Sequence, residues 1–124
     1  MAVCDWDGDG DLDLWFKNRT GPQLRLMRNV SNGRRHFISV QLVGVTCNRD
    51  AVGARVEVHA GDARFVRTVV AGDGYLAQSS KRLHFGLGSA DHVDAVIVHW
   101  PGGSKQEVES PAVDCFHRIE QGVL

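Results

Sequence analysis

The chain never sustains a helical rhythm. Its apolar residues come in short runs that alternate with polar ones and are cut by Gly, Asn and Asp. A period of two is the mark of half-buried strands. Ala54-Arg55-Val56-Glu57-Val58-His59 is the cleanest case. Its spacing sends Ala54, Val56 and Val58 inward and Arg55, Glu57 and His59 outward. Over Phe37–Val43 the set Ile38, Val40 and Leu42 is uniformly apolar and should face the core. Ala95–Trp100 is apolar except for His99, so it reads as a central strand.

The remaining strands expected from this pattern are Leu12–Phe16, Leu24–Arg28, Arg64–Val70 (with Phe65 as inward anchor), Leu83–Leu87, Lys105–Val108 and Cys115–Ile119. Turn chemistry separates them. Gly61-Asp62 suits a two-residue hairpin loop, Gly72-Asp73-Gly74 a sharp turn, and Pro101-Gly102-Gly103-Ser104 another. Val30–Arg35 is a polar connection, and Asp91–Val93 has room for one helical turn. The fold class predicted is all-β: a two-layer antiparallel β-sandwich with an N-terminal β-hairpin carrying an Asp-rich loop.

Bulk properties narrow the function classes. At 124 residues and 43% hydrophobic, the chain is one domain's worth of core. The formal net charge is −1, and no continuous basic stripe exists, so no nucleic-acid partner is expected. No apolar run nears the roughly 20 residues of a membrane span. The first residues lack the pattern of a signal peptide. Cys4, Cys47 and Cys115 match no zinc knuckle. They allow one disulfide plus a free thiol, or three reduced thiols, and Cys115 reads as core.

One segment carries specific chemistry. Asp5-Trp6-Asp7-Gly8-Asp9-Gly10-Asp11-Leu12-Asp13 follows the pattern D-x-D-x-D-G-x-x-D. Carboxylates on alternate residues of a tight loop converge on one hard cation, which takes six to eight oxygens. Asp5, Asp7 and Asp9 fill the first, third and fifth positions. Asp11 supplies the backbone carbonyl of the seventh, and Asp13 the ninth. Their mutual repulsion is relieved by Ca2+. The alternative is a solvated acidic turn with its charges splayed into water. An EF-hand is rejected: its twelfth position is Phe16, and strand, not helix, follows.

Other constellations are weaker. Six scattered histidines show no zinc-type spacing. Gly86-Leu87-Gly88 lacks the rest of a dinucleotide fingerprint. Ser79 and Ser80 read as strand-edge hydrogen-bonding groups rather than nucleophiles. Tyr75 and Trp100, beside Gly-rich turns, read as core, with sugar stacking as the alternative.

Two resemblances organise these motifs. Asp5–Asp13 with Leu14-Trp15-Phe16 and Leu24–Asn29 resembles the end of an FG-GAP/VCBS-type repeat. Such repeats carry a calcium loop between two strands of a β-propeller. The rest is similar to the ASPIC/UnbV domain, on four motifs: Asn48–Val56, Gly72–Ser80, Leu83–Gly88 and Val98–Gly103. A Ser is commonest where Gly102 stands. The resemblance implies two parts, a partial repeat over 1–30 and a β-sandwich over 31–124, packed as one unit. Because family members carry several repeats, the chain reads as a truncated relative. Its Leu12–Phe16 and Leu24–Arg28 strands are expected to pack on the sandwich or on a second chain.

The resemblance implies an extracellular or periplasmic parent with adhesion-like roles and no established catalysis. The reading is therefore a non-enzymatic binding module with a Ca2+ loop. Its partner would be protein or carbohydrate, or a second copy paired through exposed strand edges. The alternatives are an accessory or catalytic domain in carbohydrate or secondary metabolism, and a truncated product that retains only the fold. The catalytic alternative predicts a pocket where Asp73, Tyr75, Gln78 and His84 converge.

Overall fold

A computed structural model describes every residue except Asn32, Arg34, Val123 and Leu124. The connection expected over Val30–Arg35 includes two of these, and they lie outside the described residues.

The strands, in chain order, are β1 (Ala2–Cys4), β2 (Asp13–Lys17), β3 (Leu24–Met27), β4 (His36–Val43), β5 (Arg55–Ala60), β6 (Ala63–Thr68), β7 (Leu83–Gly88), β8 (Ala95–His99), β9 (Lys105–Glu109) and β10 (Cys115–Glu120). The fold is all-β, as the alternation requires. Nine of the strands fall on runs read from sequence. The addition is β1, three residues too short to show a period. Asp91–Val93 forms no helical turn, because three residues cannot repay the cost of a helical nucleus.

The chain divides into two compact units. The larger comprises residues 34–71 and 81–124, and the smaller residues 1–33 and 72–80. The segment 72–80, read from sequence as part of the sandwich, thus groups with the N-terminal strands.

The larger unit contains a three-stranded sheet in the order β10-β4-β7 and a four-stranded sheet in the order β6-β5-β8-β9. One buried apolar cluster draws on both. Ile38, Val40, Phe85, Leu87 and Ile119 come from the first sheet, and Val56, Val58, Val96 and Val98 from the second. Each such burial is worth about 1.5–3 kcal/mol. The inward sets predicted on β4 and β5 are buried as predicted. Ala95–His99 lies between two neighbours, as its apolar run demands. Phe65 packs only partly against the cluster, since β6 is an edge strand.

One pairing departs from the antiparallel expectation: β10 runs parallel to β4, from Cys115 opposite Ile38 to Glu120 opposite Val43. Periodicity marks a strand but not its direction. A parallel pair needs a long crossover, and the whole of β5 to β9 supplies it. Two polar devices fix this register. Asp114 accepts the Phe37 amide at 3.1 Å and pairs with His36 Nδ1 at 2.7 Å. At the other end the buried Gln121 Oε1 accepts the amides of Val45, Thr46 and Cys47.

Turn residues behave as their chemistry dictates. Ala60 pairs with Ala63 across a two-residue loop whose Gly61 has φ +56°. Gly102 and Gly103, at φ +102° and +97°, let Trp100 accept from Gly103 and donate to the Ser104 carbonyl.

The smaller unit holds a three-stranded antiparallel sheet in the order β1-β2-β3. Its β2-β3 hairpin matches the expected pair, with Leu14 opposite Met27 and Lys17 opposite Leu24. The Asp-rich segment is not in that hairpin's turn, however. It joins β1 to β2, because β1 adds on the other side. The outer edge of β1 meets segment 72–80: Val3 donates to Ser79 Oγ, and Ser80 donates to the Val3 carbonyl.

Candidate metal centre

Cys4 lies opposite Asp13 at the end of the β1-β2 ladder. The chain between them must therefore leave β1 and return to β2 within a short arc. Short arcs need left-handed backbone, and Gly8 and Gly10 supply it at φ +76° and +91°. The aspartates then stitch the arc from inside. Asp5 accepts the Gly8 amide at 2.8 Å and the Gly10 amide at 3.2 Å. Asp9 accepts the Asp11 amide at 2.9 Å. Trp6 packs edge-on against Trp15 of β2, with centroids 5.3 Å apart.

Asp13 is the anchor. It is 1% exposed. Its Oδ2 accepts the Trp6 amide at 2.9 Å and its Oδ1 the Asn29 amide at 2.8 Å. One carboxylate thus ties the start of the loop and the end of β3 to the first residue of β2.

Of the five expected ligands, the structure brings three together. Asp5, Asp7 and Asp13 each place a carboxylate oxygen so that all lie within 4.8 Å of one another. Ligands of one Ca2+, at about 2.3–2.6 Å from the ion, fall within about 5 Å of each other. Donor type and spacing therefore fit a hard cation. Asp9 and Asp11 stand outside this group. A protein cation also competes for it: Arg28 Nε lies 2.7 Å from Asp7, and its Nη2 3.8 Å from Asp9. Arg28 sits just past β3, and no spacing rule pointed to it.

Sequence reasoning also missed Glu57. Alternation sends it away from the core, yet it is only 5% exposed. It lies beneath a canopy of longer side chains on the outer face of the four-stranded sheet. Arg64 Nη2 approaches to 2.7 Å, Arg55 Nη2 to 3.0 Å, His99 Nε2 to 3.0 Å and His59 Nε2 to 3.5 Å. Burial pushes the carboxyl's pKa up. The Arg64 and His59 hydrogen bonds, with the charges of Arg64 and Arg55, outweigh this and hold it below the usual carboxylate range. Asp114 behaves alike: burial opposes ionisation, but the His36 and Phe37 bonds prevail and lower its pKa. The clue to Glu57 was its flanking by Arg55 and His59 at two-residue spacing on one face.

The remaining candidates separate. Trp100 is core, with Nε1 donating to Gln106 at 3.1 Å. Tyr75, also expected in the core, is 88% exposed. Segment 72–80 is bound at its base, where Asp73 accepts the Ser79 amide, and its tip is left outside. Ser79 takes up strand-edge hydrogen bonding, as read. Asp73, Tyr75 and Gln78 belong to the smaller unit, whereas His84 belongs to the larger and stacks on Phe37. The three cysteines are free thiols, and Cys115, expected in the core, is half-buried on an edge strand.

Comparison with known proteins places these features. The family described as ASPIC and UnbV matches residues 44–123. That span takes in β5 to β10, including Glu57 and the Gln121 cap. Cartilage acidic protein 1 of Homo sapiens and that of Mus musculus are each 34% identical over 106 residues, covering 82% of this chain. The Xenopus tropicalis protein is 31% identical over the same length. This match is too long to fit within 44–123, so it runs into residues before Gly44. The chain spans 16% of the length of these relatives. No helix among the described residues is long and apolar enough to cross a membrane. Four ordered motifs, the sheets they build and the family match over most of the chain lead to one conclusion: the chain belongs to the ASPIC and UnbV family.

Proposed function

We propose that the chain is a non-enzymatic binding module of an extracellular or periplasmic protein, in which Ca2+ orders the smaller unit. The observation that carries this reading is Asp13. A carboxylate almost wholly removed from water is costly unless a cation or several donors compensate it. Two backbone amides compensate it in part. Asp5 and Asp7 converge on the same point and add negative charge, which a divalent ion would balance. The resemblance of residues 1–30 to an FG-GAP/VCBS-type repeat supports the same assignment.

Asp5, Asp7 and Asp13 would hold the ion. Asp9 and the Asp11 carbonyl would complete the set once Arg28 left Asp7. Displacing Arg28 opposes binding, which favours an affinity near the millimolar levels of extracellular calcium modules. The bound ion would hold β1, β2 and the end of β3 as one piece. A protein strand is the partner this reading favours, at the outer edge of β3, where Leu24 and Met27 are exposed.

Calcium titration with thermal melting tests the site. Saturating Ca2+ should stabilise the folded chain by about 2–3 kcal/mol at a hundredfold excess over Kd. Asp7→Ala should abolish the effect, and Arg28→Ala should tighten binding. No change in melting at 10 mM Ca2+, roughly ten times the weakest affinity expected, would remove the calcium reading. Light scattering addresses the β3 edge: a second copy bound there appears as a dimer that Leu24→Lys dissolves.

A further inference from the structure

We infer that Cys115 and His117 form a reactive thiol site on β10 that takes small-molecule disulfides. Two residues apart on one strand, their side chains project to the same face. Cys115 pairs with Ile38 and His117 with Val40, so that face is the one turned toward the apolar cluster. At the edge strand, however, both side chains are only half-buried, leaving a sheltered thiol within reach of solvent.

The geometry is that of a nucleophile beside its activator. Cys115 Sγ lies 3.2 Å from His117 Nε2. Both atoms also converge on the Ala112 carbonyl, Nε2 at 2.7 Å and Sγ at 3.3 Å. A carbonyl oxygen only accepts, so Nε2 carries the ring proton. The sulfur thus sits against an N–H donor. When the thiol ionises it gives up its bond to Ala112 and becomes an acceptor for that N–H.

The mount is rigid. Asp114, at φ +57°, turns the chain into β10 while holding the Phe37 amide and His36. Ala112 is therefore fixed across the corner from the two side chains it bonds. Cys47 offers a contrast within the same unit: it is also half-buried, but among the described residues its sulfur has one hydrogen-bond partner, the Asn48 carbonyl at 3.5 Å.

The chemistry is thiol–disulfide exchange. The Cys115 thiolate attacks one sulfur of a small disulfide, a new S–S bond forms and the old one breaks. Cys115 releases its proton to solvent, and the leaving thiolate takes one up from solvent, so the exchange is balanced. Cys115 is oxidised to a mixed disulfide while the reagent is reduced to one thiol.

The experiment treats the whole chain with oxidised glutathione and, separately, iodoacetamide. Peptide mass spectrometry then follows each cysteine. Cys115 should react roughly tenfold faster than Cys4 or Cys47 near neutral pH. His117→Gln should bring its rate down to theirs while leaving theirs unchanged. A Cys115 rate no greater than the other two overturns the site, as does a fast rate that survives His117→Gln. If His117→Gln unfolds the chain, all three rates rise together, and the ratio of the Cys115 rate to the Cys4 and Cys47 rates in the unsubstituted folded chain decides: a ratio near one rejects the proposal.

Discussion

The larger unit is closed by Ile38, Val40, Val56, Val58, Phe85, Val96 and Val98, all buried. In the smaller unit the one fully buried side chain among the described residues is a carboxylate, Asp13. Many of its large apolar residues are left outside: Trp6, Leu24, Met27, Val30, Tyr75 and Leu76 are all exposed, while Leu14, Trp15, Phe16 and Leu26 are half-buried. The first unit thus rests on apolar area removed from water. The second rests on carboxylate-to-amide hydrogen bonds, each worth about 1.5–3 kcal/mol. A three-stranded sheet with no fully buried apolar side chain among the described residues is marginal alone. The cation and the strand partner proposed above are two ways such a unit would gain order.

The largest expected effect breaks the comparison at its strong side. Phe85→Ala removes a buried ring between the sheets and should cost about 3–5 kcal/mol. Leu24→Ala, on the exposed edge, should change stability by less than about 0.5 kcal/mol. Urea unfolding of both variants checks this, and similar losses would mean that Leu24 is buried in solution.

Glu57→Gln comes next. It leaves Arg55 and Arg64 without their shared carboxylate, but their heads are about half in water, so about 1–2 kcal/mol is expected. Thermal melting at neutral pH reads the loss. A neutral or stabilising result would show that desolvating Glu57 costs as much as its ion pairs return.

Acid separates the units further. Glu57 and Asp114 both have lowered pKa values, each after burial is outweighed by its partners. A carboxyl more acidic folded than unfolded contributes stability that is fully present above its unfolded value. That contribution is lost as pH falls through the folded one. The larger unit should therefore hold level down to about pH 5 and weaken steadily below about pH 4.5. Asp114→Asn should flatten part of that slope, as chemical denaturation at stepped pH would reveal.

The smallest effect lies at the tip of segment 72–80. Leu76 is 91% exposed and sits at φ +51°, where a side chain strains the backbone. Leu76→Gly should relieve that strain and gain about 0.5 kcal/mol locally. Slower hydrogen exchange at Ser79 and Ser80 would register it.

Alternation alone determined which residues face the core on β4 and β5, because a buried face tolerates no one-residue slip. Gly61-Asp62 and Gly102-Gly103 determined their turns, because few residues adopt left-handed backbone. The spacing of Asp5, Asp7, Asp9, Asp11 and Asp13 marked the segment, but which three of them converge was decided by the path of the arc. Strand direction was not legible: the parallel β10-β4 pair depends on Asp114, His36 and Gln121 meeting partners far along the chain. Nor was the burial of Glu57, whose cover comes from Arg64 and His99 on neighbouring strands. The same holds for Arg28 at Asp7, Ala112 at Cys115 and His117, and the exposure of Tyr75. Short-range pattern decides which way a side chain points, and only the tertiary fold decides what stands there to meet it.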